Sequence, residues 1–283
     1  MIPLRLPPFN PVANGTRATL AIPRYDMTLA RVTLKFIGAN SLTKATISEI
    51  VVKVGSRTVW GPLSAAELDK INKYKGIFDQ ADSLTIDFTE RDALSPDAKE
   101  VGGYDIPALG GQDMFIEVMN TAGAGTPALY AMGYFTTLQF DPRNPDPRGQ
   151  LVKKLVKIQI PSNGGTAVTW TPQFKGALVQ RIYNFYTGAD WGASTDGNIQ
   201  TVEVKKNGIA VWDRVACKDA RFYQQEMKKV PQSKVYVTDF IADNVHSAAM
   251  STADARSLEI NYALGAGDTL YAIAEVLDTP GNL

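Results

Sequence analysis

The chain has 283 residues, with 29 Lys+Arg against 29 Asp+Glu, so its formal net charge is zero. Hydrophobic residues make up 45% and charged residues 20%, a balance that excludes a disordered or membrane-like chain. The lack of a cationic surplus argues against a protein that coats nucleic acid, which must displace counterions, and no direct nucleic-acid binding is expected.

In chain order, residues 1–9 (Met1 to Phe9) carry three prolines and no long apolar core, so no signal peptide is expected and folding in the cytoplasm is. Ala30 to Phe36 alternates apolar and polar, with Val32, Leu34 and Phe36 on one strand face. Ile50, Val52 and Val54 repeat the pattern, and Gly55-Ser56 reads as the turn before Val59-Trp60. Ser64 and Glu67 form a capping box for a helix with Leu68 and Ile71 as its apolar stripe and Gly76 as its end. Gly102-Gly103, Gly110-Gly111 and Gly123-Ala124-Gly125 read as turns; no phosphate-binding spacing surrounds them. Residues 141–149 hold three prolines and no other apolar residue, the composition of a stiff extended linker.

Beyond it, Val202 and Val204 face one way and Glu203 and Lys205 the other. Asn207-Gly208 is a two-residue hairpin signal, because a type I′ turn needs positive φ. Asp213 is the expected cap of a second helix, with Phe222 and Met227 as apolar contacts and Lys228, Lys229 and Pro231 at its end. Cys217, in the same helical stretch, is expected as a small buried residue. Val235 to Val237 and Leu258 to Tyr262 are further strands, and His246 is expected in an exposed polar loop. With one cysteine and one histidine, the chain can form neither an internal disulfide nor a metal site that needs two histidines.

The two halves repeat each other. Asn14 to Pro23 aligns with Asn163 to Pro172, and in that register Leu29 meets Leu178 and Phe36 meets Phe185. Ile47 to Val54 then aligns with Ile199 to Lys206, Val59-Trp60 with Val211-Trp212, and Thr85 to Phe88 with Val237 to Phe240. Phe115 to Val118 aligns with Ser257 to Ile260, and Leu129 to Ala131 with Leu270 to Ala272. Short strands broken by turns, with one helix midway, predict an all-β chain of two tandem eight-stranded jelly rolls, each with one short inserted helix. The expected layout is an N-terminal roll over 1–140, a Pro-rich linker over 141–150 and a C-terminal roll over 151–283.

This layout resembles the double jelly-roll major capsid proteins of icosahedral bacteriophages with an internal membrane, the corticovirus type above all. Ile22 to Asp26, Ala30 to Leu34 and Ile50 to Arg57 are the stretches most similar to that family's N-terminal domain. The resemblance implies a structural subunit of the virion, not an enzyme. It implies homotrimers of pseudo-sixfold outline tiling a shell around a lipid bilayer, with minor capsid or vertex proteins as further partners.

The chain also offers residues for other chemistry. Glu117 and Glu259, at equivalent strand positions, are the minimum pair for a glycosidase, and Asp87 and Asp239 are a second equivalent pair, expected to satisfy strand ends. Asp141, Asp146, Asp190 and Asp196 are candidate Ca²⁺ ligands, without EF-hand spacing; no other cofactor is expected. Lys153-Lys154 and Lys228-Lys229 suit lipid headgroups or plain solvated faces. Trp60 and Trp212 are expected in the two cores. Trp191, in an inserted Asp-bearing loop over 188–197, motivates the alternative of a carbohydrate-binding, lectin-like tandem β-sandwich adhesin.

Overall fold

A computed structural model describes residues 1–37, 42–95, 98–121, 127–137, 151–162, 164–174, 176–279 and 282. The chain packs into two compact units. The first takes in residues 1–73, 77–156 and 277–283, and the second residues 74–76 and 157–276. The expected linker and Gly123 to Gly125 lie outside the described residues.

The first unit contains β1 (Ile2–Arg5), β2 (Arg17–Ile22), β3 (Thr28–Ile37), β4 (Ile47–Val54), β5 (Arg57–Leu63), β6 (Ser83–Asp87), the two-residue β7 (Tyr104–Asp105), β8 (Met114–Asn120) and β9 (Ala128–Thr136). Its helix α1 (Ala65–Tyr74) lies between β5 and β6. The strands pair in the orders β1-β9-β3-β6 and β2-β8-β4-β5, with β7 added to β3.

The second set is β10 (Val152–Ile160), β11 (Ala167–Trp170), β12 (Leu178–Phe185), β13 (Ile199–Lys206), β14 (Ile209–Ala216), β15 (Val235–Asp239), the short β16 (Met250–Ser251), β17 (Leu258–Leu264) and β18 (Leu270–Asp278). Helix α2 (Cys217–Glu226) lies between β14 and β15. The orders β10-β18-β12-β15 and β11-β17-β13-β14 reproduce those of the first set, with β16 added to β12. Setting aside β7 and β16, each set is an eight-stranded jelly roll with one helix between its fifth and sixth strands, the fold the sequence predicts.

The local signals explain the elements. In α1 the Glu67 carboxylate accepts from Ser64 N at 2.7 Å and Glu67 N donates to Ser64 Oγ at 3.2 Å, closing the capping box. Leu68 and Ile71 are buried, and Gly76 ends the helix at φ +69°. Asn207 and Gly208 both take positive φ, the type I′ pattern, whereas at Gly55-Ser56 only Gly55 does. Val32, Leu34, Phe36, Ile50, Val52, Val54, Val202 and Val204 are all core residues.

The duplication extends to irregularities. In β4 the register against β8 shifts between Ile47 and Glu49, and in β13 that against β17 shifts between Ile199 and Thr201, the repeat-equivalent positions. The pairings β4–β5 and β13–β14 match residue for residue, Val52↔Trp60 against Val204↔Trp212, with bulges at the same two places. Trp60 packs edge-on against Phe88 at 5.1 Å, and Trp212 against Phe240 at 6.0 Å.

Three expectations need correction. The alignment of the first two repeat segments is off by one residue, and that of Phe115 to Val118 is off by two: Val52↔Ile116 recurs as Val204↔Ile260, so Glu117 corresponds to Asn261 and not to Glu259. Ala18, Leu20 and Ile22 are buried in β2, and Val168, Trp170 and Pro172 are buried in the second copy. The register Arg31↔Asp87 likewise recurs as Arg181↔Asp239, not one position earlier. A one-residue slip in a strand turns its buried face outward, so burial fixes the true alignment. Second, α2 begins at Cys217, and Asp213 lies within β14. Asp196 from the inserted loop supplies the cap instead, its Oδ1 accepting from Lys218 N at 2.7 Å. Third, Phe222 is 65% exposed; the buried face of α2 is Cys217, Ala220, Arg221 and Gln224.

Candidate functional site

Of the carboxylates in question, Glu117 and Asp239 sit in ion pairs and Glu259 is exposed. Glu117, on β8 of the first unit, accepts from Arg17 at 3.0 Å and Lys53 at 2.8 Å. Burial pushes its carboxyl up, but these two cations more than offset that and hold it below the ordinary range. Glu259, on β17 of the second unit, is exposed beside a shallow groove of about 320 Å³ with Thr171, Gln173, Phe174 and Arg256. No second carboxylate lines that groove among the described residues, so the acid and nucleophile of a glycosidase are not assembled there.

Asp239 accepts from Tyr74 Oη at 2.8 Å, Arg181 Nε at 3.0 Å and Ile241 N at 3.0 Å, the last a strand-end turn. These belong to a buried charge cluster of the second unit. Glu275 Oε1 takes Lys75 at 3.1 Å and Arg181 at 3.4 Å, and its Oε2 takes Tyr183 Oη at 2.9 Å. Two cations face two carboxylates in a fully buried setting, and desolvation first of all raises both tyrosines well above their ordinary range. The Tyr74 and Tyr183 rings meet edge to face at 5.7 Å. Each carboxylate already holds a cation and a tyrosine hydroxyl, so the cluster locks packing.

The Ca²⁺ candidates are committed as internal acceptors. Asp190 accepts from Trp191 N, Ser233 Oγ and Lys234 N, and Asp196 caps α2. Asp141 and Asp146 lie outside the described residues, among which no three His, Cys, Asp or Glu side chains are placed to hold a metal.

Of the four lysines in the two basic pairs, three are buried. Lys153 is fully buried, donating to Thr89 O at 2.7 Å and Glu90 at 3.2 Å; Lys154 is buried against Asp278 at 2.8 Å. Lys229 is buried on Asn244, and Lys228 alone of these four is exposed.

Trp191 is closed as a sugar platform. Arg221 lies over its ring at 4.1 Å and binds the carbonyls of Gly192 and Thr195, while the indole N–H donates to Gln232 O at 3.0 Å. The inserted loop is thereby stapled to α2. Cys217 is buried, and burial raises its thiol pKa, which disfavours the reactive thiolate. His246, expected exposed, is half-buried on a 3₁₀ turn (His246–Ala248), its Nδ1 hydrogen-bonded to Gln180 at 3.1 Å. Trp60 is buried as expected, but Trp212 is only half-buried.

Among the large apolar side chains, Phe78 is 81% exposed, Leu94 73%, Ile209 71% and Phe222 65%. Apolar side chains scattered singly on a surface are ordinary and by themselves mark no site. No helix among the described residues is long and apolar enough to cross a membrane.

Comparison with known proteins matches this picture. Residues 3–136 match the family model "viral coat protein P2 N-terminal domain" and residues 152–280 the "viral coat protein P2 C-terminal domain". No curated protein matches the chain in sequence. Among solved structures, the chain is similar to the major capsid protein P2 of bacteriophage PM2, with a TM-score of 0.82 at 14% identity, covering 98% of this chain and 97% of that one. It is also similar to the major capsid protein of Sulfolobus turreted icosahedral virus, with a TM-score of 0.64 at 15% identity over 98% and 96%. The PBCV-1 capsid gives 0.61 at 8% identity over 98% and 92%.

Proposed function

The chain belongs to the viral coat protein P2 family, matched in both its domains, and from that premise we propose how it works as a capsid subunit. It is a viral major capsid protein of the virion shell, a structural class, with a double jelly-roll fold. We propose that the rolls over 1–140 and 151–283, joined through 141–150, stand as two similar walls of one tile. Three copies then present six walls and fill a hexagonal lattice position. The observation that supports this reading is the equivalence of the rolls, which share strand orders, bulge positions and the Trp–Phe pair. A closed ring of such tiles needs the same surface to be repeated six times, and duplication supplies it.

The shell is proposed to enclose a lipid bilayer and to meet minor capsid or vertex proteins, as in the family the sequence resembles. The buried state of Lys153, Lys154 and Lys229 leaves only Lys228 of the two basic pairs at the surface. Native mass spectrometry of the purified protein tests the tile: a trimer is expected, and a monomer at every concentration and ionic strength tried would reject it. Electron microscopy of concentrated protein checks for hexagonal arrays.

A further inference from the structure

The two rolls differ at one edge. In the first unit the outer edge of β5 is occupied: Leu155 and Val156 of β10 pair in parallel with Trp60 and Gly61. Val59 and Trp60 are accordingly buried, at 1% and 3%. β14 is the repeat equivalent of β5, paired to β13 in the same register as β5 to β4. Among the described residues, however, its sheet ends there. Val211, the equivalent of Val59, is 41% exposed, Ile209 is 71% exposed, and no residue of β14 is fully buried.

A second open edge complements it. β1 and β10 are equivalent strands, each the first in its order and each beside the last strand of its roll. β10 has β5 on its other side, whereas among the described residues β1 has only β9. β1 is mostly exposed, with Met1 at 63% and Ile2 at 40%. An unpaired apolar edge strand is a template for another chain, and here the chain carries its own pattern for which strand fits.

We propose that β14 of one copy takes up β1 of a second copy as a parallel strand, repeating between copies the pairing that β5 makes with β10. The proposal deepens the capsid-tile reading and rests on it. The occupant is a second copy because β1 is the strand equivalent to the one that covers β5. The contact is short, two residue pairs in the β5–β10 version, so the four residues of β1, Pro3 included, are long enough to supply it. The interface joins two different surfaces, so each copy both donates and accepts, the heterologous arrangement that closes into rings. Main-chain hydrogen bonds would hold the strand, and burial of Ile2, Ile209 and Val211 would add apolar contact.

The test compares wild type with the double variant Ile209→Lys, Val211→Lys, which places cations on an exposed edge and leaves both cores untouched. The expected result is a closed oligomer for wild type and a monomer for the variant, with the same circular dichroism and melting temperature as wild-type monomer. Hydrogen exchange provides the second readout: amides of residues 209–216 and 2–5 should both slow in the wild-type oligomer relative to dilute protein. A variant that oligomerises like wild type, or edges that exchange equally fast in oligomer and monomer, would overturn the strand pairing while leaving the tile intact. A wild type that never oligomerises would overturn the tile reading itself.

Discussion

At the scale of single residues, this protein places its charges where a sequence reader expects solvent. The Arg181–Asp239 pair has no exposure, and Glu275 and Lys75 close the same cluster. Removing one partner from such a cluster strands its counter-charge in low dielectric and costs about 3–5 kcal/mol. Arg181→Leu should therefore lower the urea midpoint strongly, whereas Arg17→Ala, at a pair whose Arg is 41% exposed, should cost about 1 kcal/mol or less. The Glu117 carboxyl has a folded-state pKa below its ordinary value, so its contribution is present above the ordinary carboxyl range and disappears as pH falls through the lowered value. Glu117→Gln should be less stable than wild type at neutral pH, and the two should converge in strong acid. Equal denaturation midpoints across the whole pH range would show that Lys53 and Arg17 contribute nothing through Glu117.

At the scale of elements, what could be read in advance was what is encoded locally. The capping box at Ser64 and Glu67, the Asn207-Gly208 turn and the alternating faces of β3, β4 and β13 depend on neighbours a few residues apart. The start of α2 could not be read this way, because its cap, Asp196, arrives from a loop 22 residues away. β1, with Pro3 inside it, and the two-residue β7 and β16 are too short or too interrupted to show alternation. The repeat itself was visible, but its register slips by one before β4 and by two at β8, because short alternating strands fit more than one register and only pairing and burial decide between them. The helices give a discriminating test. Asp196→Ala should destabilise the protein by about 1 kcal/mol, within the 0.5–2 kcal/mol range of lost caps, and Asp213→Ala should leave the α2 signal unchanged. Backbone amide shifts of Lys218 report on the first and not the second.

At the scale of the whole molecule, the buried lysines show why a unit of packing need not coincide with a stretch of sequence. The first compact unit includes residues 152–156, and those residues complete its core. Trp60 Nε1 and Tyr104 Oη both donate to the Lys153 carbonyl, at 2.8 and 2.7 Å, while the Lys153 ammonium meets Glu90. Gly102 lies so close that a Cβ there would sit 2.5 Å from Phe88 O and 3.0 Å from Lys153 Cβ. Residues 1–140 expressed alone would keep Trp60, Tyr104 and Glu90 but lose Lys153. Without β10 the Trp60 and Tyr104 donors lose their acceptor, the Glu90 carboxylate loses the Lys153 ammonium, and the core that Val152 and Leu155 close is opened to water, a loss comparable with the whole stability of a domain at about 5–15 kcal/mol. The fragment 1–140 should therefore show no cooperative thermal transition, although the full chain does. Lys153→Met in the full chain, which keeps the carbonyl but removes the ammonium, should cost about 3–5 kcal/mol through Glu90 alone. A fragment 1–140 that melts cooperatively near the temperature of the full chain would show that the first roll needs nothing from β10. In that case the exposed edge of β5 in the fragment would be free to be compared directly with that of β14.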